Sequence, residues 1–324
     1  MRRLRGLAYP AYRAAERLAL ALPAPAVPWA AAVGAAVAVV TMPGRRRMVA
    51  RHLRRVHGPD LRGRALRRSV WQAFRSYAAY WIDTFRVPRL DPGELDARVR
   101  VEGREHLDRA LEAGAGAVIA LPHLGSWDLA GAWGAAQGYP LVVVVERLEP
   151  PELLAWFRAA RRRMGMEVVV RGPGVTERLE AALRRNQVVA LVCDRDLSGR
   201  GVAVELFGER TTLPVGPGLL ARRCGAALLP AAVYDQEGGR NRAVVRPPIP
   251  VERSDDERHD VSVTTQRLAR ELEVLIRAAP EQWHLMQPNW PSDRETDRRG
   301  RRAAPGSHPP TTPRFRPGRG GPGR

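Results

Sequence analysis

The chain has 324 residues with 53 basic residues, all of them arginine, against 34 acidic ones, for a formal net charge of +19. Residues 1–68 carry fifteen arginines against two acids and residues 292–324 nine against three, which leaves the stretch between them neutral. Basic flanks on a neutral body fit an anionic membrane surface as partner and exclude a main face built to read nucleic acid.

Residues 1–17 are basic, and Leu18–Met42 then runs without a charge. Pro23, Pro25 and Pro28 interrupt its first half, because each removes a backbone donor and crowds the preceding turn. The remainder, Trp29–Met42, falls short of the roughly twenty apolar residues of a membrane span. It is expected to lie in the bilayer interface, with Arg45, Arg46, Arg47, Arg51, Arg54 and Arg55 against anionic headgroups. No signal-peptide cleavage pattern follows it, so no secretory signal is expected. Residues 1–60 thus read as a membrane-associating segment.

From Leu66 to Arg86 the residues Val70, Phe74, Tyr77, Trp81 and Phe85 step by four, three, four and four, the period of a helix, and Pro88 and Pro92 close it. An edge strand at Val99–Val101 and a helix near Glu105–Ala113 come next, the latter ended by Gly114 and Gly116. Strands and helices then alternate. Strands are expected at Ala117–Leu121, Leu141–Val145, Glu167–Val170, Val188–Cys193, Ala227–Val233 and Ala243–Val245. Helices fall at Leu129–Gln137, Glu152–Met164, Thr176–Arg185, Pro217–Cys224 and Val263–Ala278. Runs such as LVVVV and VVALVC are apolar throughout, as when helices cover both faces of a sheet. The fold class is therefore α/β, a central mostly parallel sheet flanked by helices over residues 61–291. Residues 292–324, rich in Pro, Gly and Arg, are expected to be a disordered tail.

Two cysteines, Cys193 and Cys224, lack the spacing of a metal site or a disulfide framework, so no metal is expected and a reducing compartment is implied. In open α/β sheets ligands bind beyond the carboxyl ends of the strands. There the sequence places His123, then Glu146 and Arg147, then Asp194, Arg195 and Asp196, each set after a different strand. His123 and Asp128 are five residues apart, about 140° around a helix, so they cannot share a helix face. His123 must precede the helix and Asp128 must lie in its first turn. There Asp128 serves either as a cap favoured by the helix dipole or as the group that orients the imidazole. Ser126 lacks the G-x-S-x-G setting of a hydrolase nucleophile.

The His123-x-x-x-x-Asp128 spacing resembles the signature of the lysophospholipid and glycolipid acyltransferase superfamily. The ordered set VEGREHLDRALEAGAGAVIALPHLGSWDLAG, ERLEPPELLAWF, CDRDLSGRGVAVELFGERTTLPVGPGLLARRCGAALLP and PEQWHLMQPNW resembles the bacterial lipid A late acyltransferase branch. It is most similar to the actinobacterial phosphatidylinositol mannoside acyltransferases, over roughly residues 5–291. The resemblance implies that His123 is the base that deprotonates a sugar hydroxyl for attack on an acyl-CoA thioester. Asp128 would support it, and Asp194, where those enzymes commonly carry Glu, would pair with the histidine. Arg161 and Arg147 would line the acyl-CoA site. Arg223 falls where those enzymes have an acid and is carried as a substrate-binding candidate. In the acyl transfer that the resemblance implies, the tetrahedral oxyanion would need donors, for which Arg147, Arg195 and backbone N–H groups are candidates. Acyl-CoA is then a substrate and no cofactor is needed. The acceptor would be a membrane glycolipid, a phosphatidylinositol mannoside taking a palmitoyl group or else a lipid A precursor. The enzyme would sit peripherally on the cytoplasmic side of the inner (plasma) membrane.

Overall fold

Apolar runs with no polar alternation form the centre of a sheet covered on both faces. The computed structural model describes residues 2–294, with side chains from Tyr9 onward. In chain order these residues form α1 (Arg2–Ala21), α2 (Val27–Thr41), α3 (Pro43–His57), α4 (Gly63–Arg86), α5 (Pro92–Arg98), β1 (Val99–Glu102), α6 (Arg104–Glu112), β2 (Ala117–Leu121), α7 (Trp127–Ala136) and β3 (Leu141–Val145). They continue with α8 (Pro151–Arg163), β4 (Glu167–Val170), α9 (Val175–Arg184), β5 (Val188–Val192), β6 (Val202–Leu206), β7 (Glu209–Leu213), α10 (Gly216–Cys224), β8 (Ala227–Asp235), β9 (Asn241–Val245) and α11 (Glu257–Ala278).

Seven strands make one sheet in the order β1-β9-β8-β2-β5-β3-β4. The five from β8 to β4 are parallel, β9 turns back antiparallel to β8, and β1 pairs parallel to β9. Successive residues of each central strand serve opposite cores. Val118, Ala120 and Val189 pack with Leu183 of α9, Leu220 of α10 and Leu272 of α11, whereas Ala117 and Val188 pack with Leu107 of α6 and Leu129 of α7. The mostly parallel α/β class expected from the runs is the one observed.

The strands β6 and β7, absent from the sequence reading, form a separate antiparallel hairpin. Its two-residue turn, Phe207 (φ 53°) and Gly208 (φ 74°), places both residues in the left-handed region, as the tightest hairpin turns require. A phenylalanine there gives no turn signal.

The N-terminal helices pack onto α4, whose aromatic stripe is spent on them. Ala35 of α2, Val49 and Leu53 of α3, and Phe74 of α4 share one small core. Tyr12 of α1 sits among Trp81, Phe85, Trp156 and Phe157. With Ala31 and Ala35 turned inward, α2 leaves Trp29 (71% exposed), Val33, Val37 and Val40 as an exposed apolar stripe. Arg45, Arg46, Arg47 and Arg54 are exposed as expected. Arg55 is not available to headgroups: it turns inward to Glu209 and Asp293, each at 2.9 Å. Asp293 is fully buried, so residues 292–294 belong to the folded body and not to the tail; residues 295–324 lie outside the described residues. Cys193 and Cys224 are both free.

Candidate active site

Strand register does the first part of the assembly. In the parallel β2–β5 pair Leu121 stands opposite Val192, so the residues two places further on, His123 and Asp194, leave the sheet side by side. The backbone then turns sharply at Gly125 (φ 60°), where a β-carbon would lie 2.1 Å from the carbonyl oxygen of Val233. Only glycine fits there, and it delivers the chain into α7 with Ser126 at its start and Asp128 in its first turn.

His123 Nδ1 lies 2.6 Å from Asp194 Oδ1, and the His123 backbone N–H donates to Oδ2 at 3.2 Å. Trp283 Nε1–H donates to the same Oδ2 at 2.7 Å. Asp194 has no exposed surface, and burial alone would push its carboxyl up. The charge of His123, with the hydrogen bonds from His123 and Trp283, outweighs burial and holds it below the usual carboxylate range. A carboxylate only accepts, so Nδ1 carries a proton toward Asp194, and in the neutral imidazole Nε2 is then the nitrogen with the lone pair. That nitrogen makes no hydrogen bond to the described residues, and the ring is 24% exposed.

Asp128 does not join this pair. Its carboxylate is buried and receives Arg161 of α8 at 2.9 Å and the Tyr80 hydroxyl of α4 at 3.2 Å. Burial, followed by the Asp128 charge, pushes the Tyr80 hydroxyl well above the usual tyrosine range, so it stays a donor. Trp127 stacks on Tyr80 with centroids 4.1 Å apart and stands edge-on to His123 at 5.4 Å. Beyond Trp127, Asp128 and Arg161 an apolar cavity of about 150 Å³ runs between the sheet and α7, lined by Leu121, Ile119, Gly131, Val143, Ala190 and Val192 among others.

The remaining sequence candidates divide. Arg195 reaches Glu146 at 2.8 Å across the adjacent β5 and β3 ends, with its Nε buried and unpartnered. Arg147 is exposed and makes no hydrogen bond to the described residues. Asp196 holds its own loop through Ser198, Gly201 and Thr212. Arg223 stands apart from the others. It lies at the end of α10 just before β8 begins, at the amino edge of the parallel strands, and is paired with Glu257 (2.7 Å) and Glu180 (3.4 Å). It therefore lies at the opposite end of the sheet from His123.

The sequence reading quoted PEQWHLMQPNW for its resemblance but gave its residues no role. Leu124 and Trp283 form an antiparallel bridge, with Gly125 N–H donating to Gln282 O at 3.0 Å and His284 N–H to His123 O at 2.7 Å. This pairing places the side chains of His123 and His284 on one side. His284 is buried, with Nε2 on Ser76 Oγ at 2.9 Å and Nδ1 unpartnered. Burial, then the charge of His123, lowers its pKa to about 3, so it is neutral near pH 7. Asp235, at the end of β8, is raised to about 6 by burial against its hydrogen bond from Ser126 and by the nearby charge of Asp83.

The α/β sheet thus carries a histidine–aspartate pair at its carboxyl edge with an apolar cavity near it. The chain belongs to the bacterial lipid A biosynthesis acyltransferase family, whose model matches residues 2–292, and it is an O-acyltransferase. It is 37% identical to a phosphatidylinositol mannoside acyltransferase of Mycolicibacterium smegmatis, covering 78% of this chain and 86% of that one. It is 40% identical to the protein of that name from Mycobacterium tuberculosis, over 70% and 72% of the two chains. A lipid A biosynthesis acyltransferase of Haemophilus influenzae is 26% identical over 58% of each.

Proposed function

We propose that this enzyme moves a long-chain acyl group, palmitoyl, from acyl-CoA to a mannose hydroxyl of a phosphatidylinositol mannoside at the cytoplasmic face of the plasma membrane. The observation that carries the reading is the His123–Asp194 pair, with its Nδ1 held at 2.6 Å and its Nε2 free. A sugar hydroxyl is a poor nucleophile at neutral pH, and a positioned base contributes about 10²–10⁴-fold. Nε2 takes the hydroxyl proton as the oxygen attacks the thioester carbonyl. Asp194 stabilises the imidazolium, the C–S bond breaks, and the proton passes to the departing thiolate. The acyl tail would occupy the apolar cavity that Trp127 and Arg161 help to line. Arg147, exposed and unpaired at the end of β3, suits CoA phosphates, and Arg195 suits the oxyanion. The identities of 37–40% with mannoside enzymes favour that acceptor over a lipid A precursor.

Peripheral attachment is favoured over a span by the packing of α2. The apolar helical stretch Ala24–Thr41 has eighteen residues, about 27 Å, enough by length and composition to cross a hydrocarbon core of about 30 Å. One face of α2 is packed on α4 and the other carries the stripe from Trp29 to Val40. Such a helix lies along the interface, with the exposed arginines of α3 meeting anionic lipid. The test is an assay of purified enzyme with palmitoyl-CoA and a panel of phosphatidylinositol mannosides and lipid A precursors, products read by mass spectrometry. Acylated mannoside is expected; a product only from lipid A precursors, or none with acyl-CoA, overturns the reading.

A further inference from the structure

The second oxygen of the Asp194 carboxylate is held by the His123 backbone N–H and by an indole far along the chain. We infer that Trp283 is a positioning residue for the His123–Asp194 pair, and that residues 282–293 are a strap built to hold it there. The inference rests on the acyl-transfer reading of that pair.

The strap is attached to both halves of the pair. Its backbone bonds His123 and Gly125, the Trp283 indole N–H donates to Asp194 Oδ2 at 2.7 Å, and Asn289 Nδ2 donates to the Asp194 carbonyl at 3.1 Å. Its far end is clasped by the N-terminal helices. Asp293 Oδ2 accepts from the backbone N–H groups of Asn289 and Trp290 and faces His52 Nε2 at 3.3 Å, while Arg55 lies 4.2 Å over the Trp290 ring. His52 Nδ1 meets the carbonyl of Leu285 at 2.9 Å. Trp283, Leu285, Asn289, Trp290 and Asp293 are buried, so the strap is anchored from both sides.

The indole does two things to Asp194. It fixes the carboxylate plane, so that Oδ1 points at Nδ1, and it draws electron density from the carboxylate, weakening its hold on a protonated histidine. Replacing Trp283 by phenylalanine keeps the ring and removes only the donor. The carboxylate then binds imidazolium more strongly, so the base is protonated at higher pH. A residue that merely filled space would leave that limb where it was.

The experiment is the kinetics of Trp283→Phe and Asn289→Ala in the full chain, over pH 5–9, with palmitoyl-CoA and the best acceptor. For Trp283→Phe we expect kcat to fall about tenfold with KM for acyl-CoA unchanged, and the acid limb of kcat/KM to move about half a unit to higher pH. For Asn289→Ala we expect a smaller fall in kcat and an unmoved limb, because Asn289 touches the peptide carbonyl and not the carboxylate. An unmoved limb in a folded Trp283→Phe enzyme overturns the inference. If that variant does not fold, unchanged kcat in Asn289→Ala overturns it instead. The parent reading is judged separately: full activity in His123→Ala would remove it whatever Trp283 does, whereas an inactive His123→Ala beside a normal Trp283→Phe removes only the strap's role.

Discussion

Replacing Asp194 by asparagine exchanges one oxygen for an amide nitrogen at nearly constant shape, and the surrounding donors decide which one. Oδ2 receives two N–H groups, from Trp283 and from the His123 backbone, whereas Oδ1 receives one, from His123 Nδ1. The asparagine oxygen is held at the two-donor position, which leaves its NH₂ facing Nδ1. Two donors cannot face each other, so the imidazole shifts its proton to Nε2 and the substrate-facing nitrogen stops being a base. The same tautomer error in a serine-protease triad costs about 10⁴ in kcat. We expect a fall of about 10³–10⁴ here, equivalent to about 4–5.5 kcal/mol of transition-state stabilisation. The assay is transfer of radiolabelled palmitate to the mannoside under saturating acceptor, with circular dichroism to confirm folding. A loss below tenfold would refute the pairing and return the role to another carboxylate.

Other perturbations have definite signs. The folded-state pKa of His284, about 3, lies below its unfolded value, so its contribution to stability is complete above about 6.5 and is lost as pH falls toward 3. Between pH 7 and pH 5 this amounts to about 2 kcal/mol, and urea unfolding of His284→Gln should show a correspondingly shallower decline; an equal decline would contradict the neutral assignment. Changing Trp29 and Val37 together to glutamate should weaken binding to anionic vesicles by about tenfold or more while leaving activity on detergent-dispersed substrate intact. Undiminished vesicle binding would place the membrane contact elsewhere. Arg223→Ala should transfer acyl groups at the parent rate and shift stability by less than about 1 kcal/mol, since its ion pairs are exposed; a raised KM would restore it to the site.

What could be read from the sequence follows from how locally each feature is encoded. The unbroken apolar runs of β2, β3 and β5 announced a two-sided sheet, and the polar residues just past them marked its carboxyl edge before the strand order was known. Periodicity also separated His123 from Asp128, because five residues cannot share a helix face. The partnership of Asp128 with Arg161 and Tyr80 depends on how α4 and α8 meet α7, and no spacing expresses that. The position of Arg223 was hidden for a related reason: a helix that precedes a parallel strand ends at the edge away from His123. The segment was quoted for its resemblance, but its bond to Asp194 was not legible, because Trp283 lies 89 residues from Asp194 in irregular chain, where neither period applies. Beside the resemblance its signal was composition, two tryptophans and a histidine crowded among prolines at Pro280–Trp290, more aromatic than a loop that meets only water.

The central claim, that His123 is the base of acyl transfer, is tested most directly by His123→Ala assayed with palmitoyl-CoA and phosphatidylinositol mannoside, with product counted by mass spectrometry and vesicle binding measured on the same preparation. The account predicts full vesicle binding and a rate about 10²–10⁴-fold below the parent. A variant that keeps a tenth or more of the parent rate contradicts it.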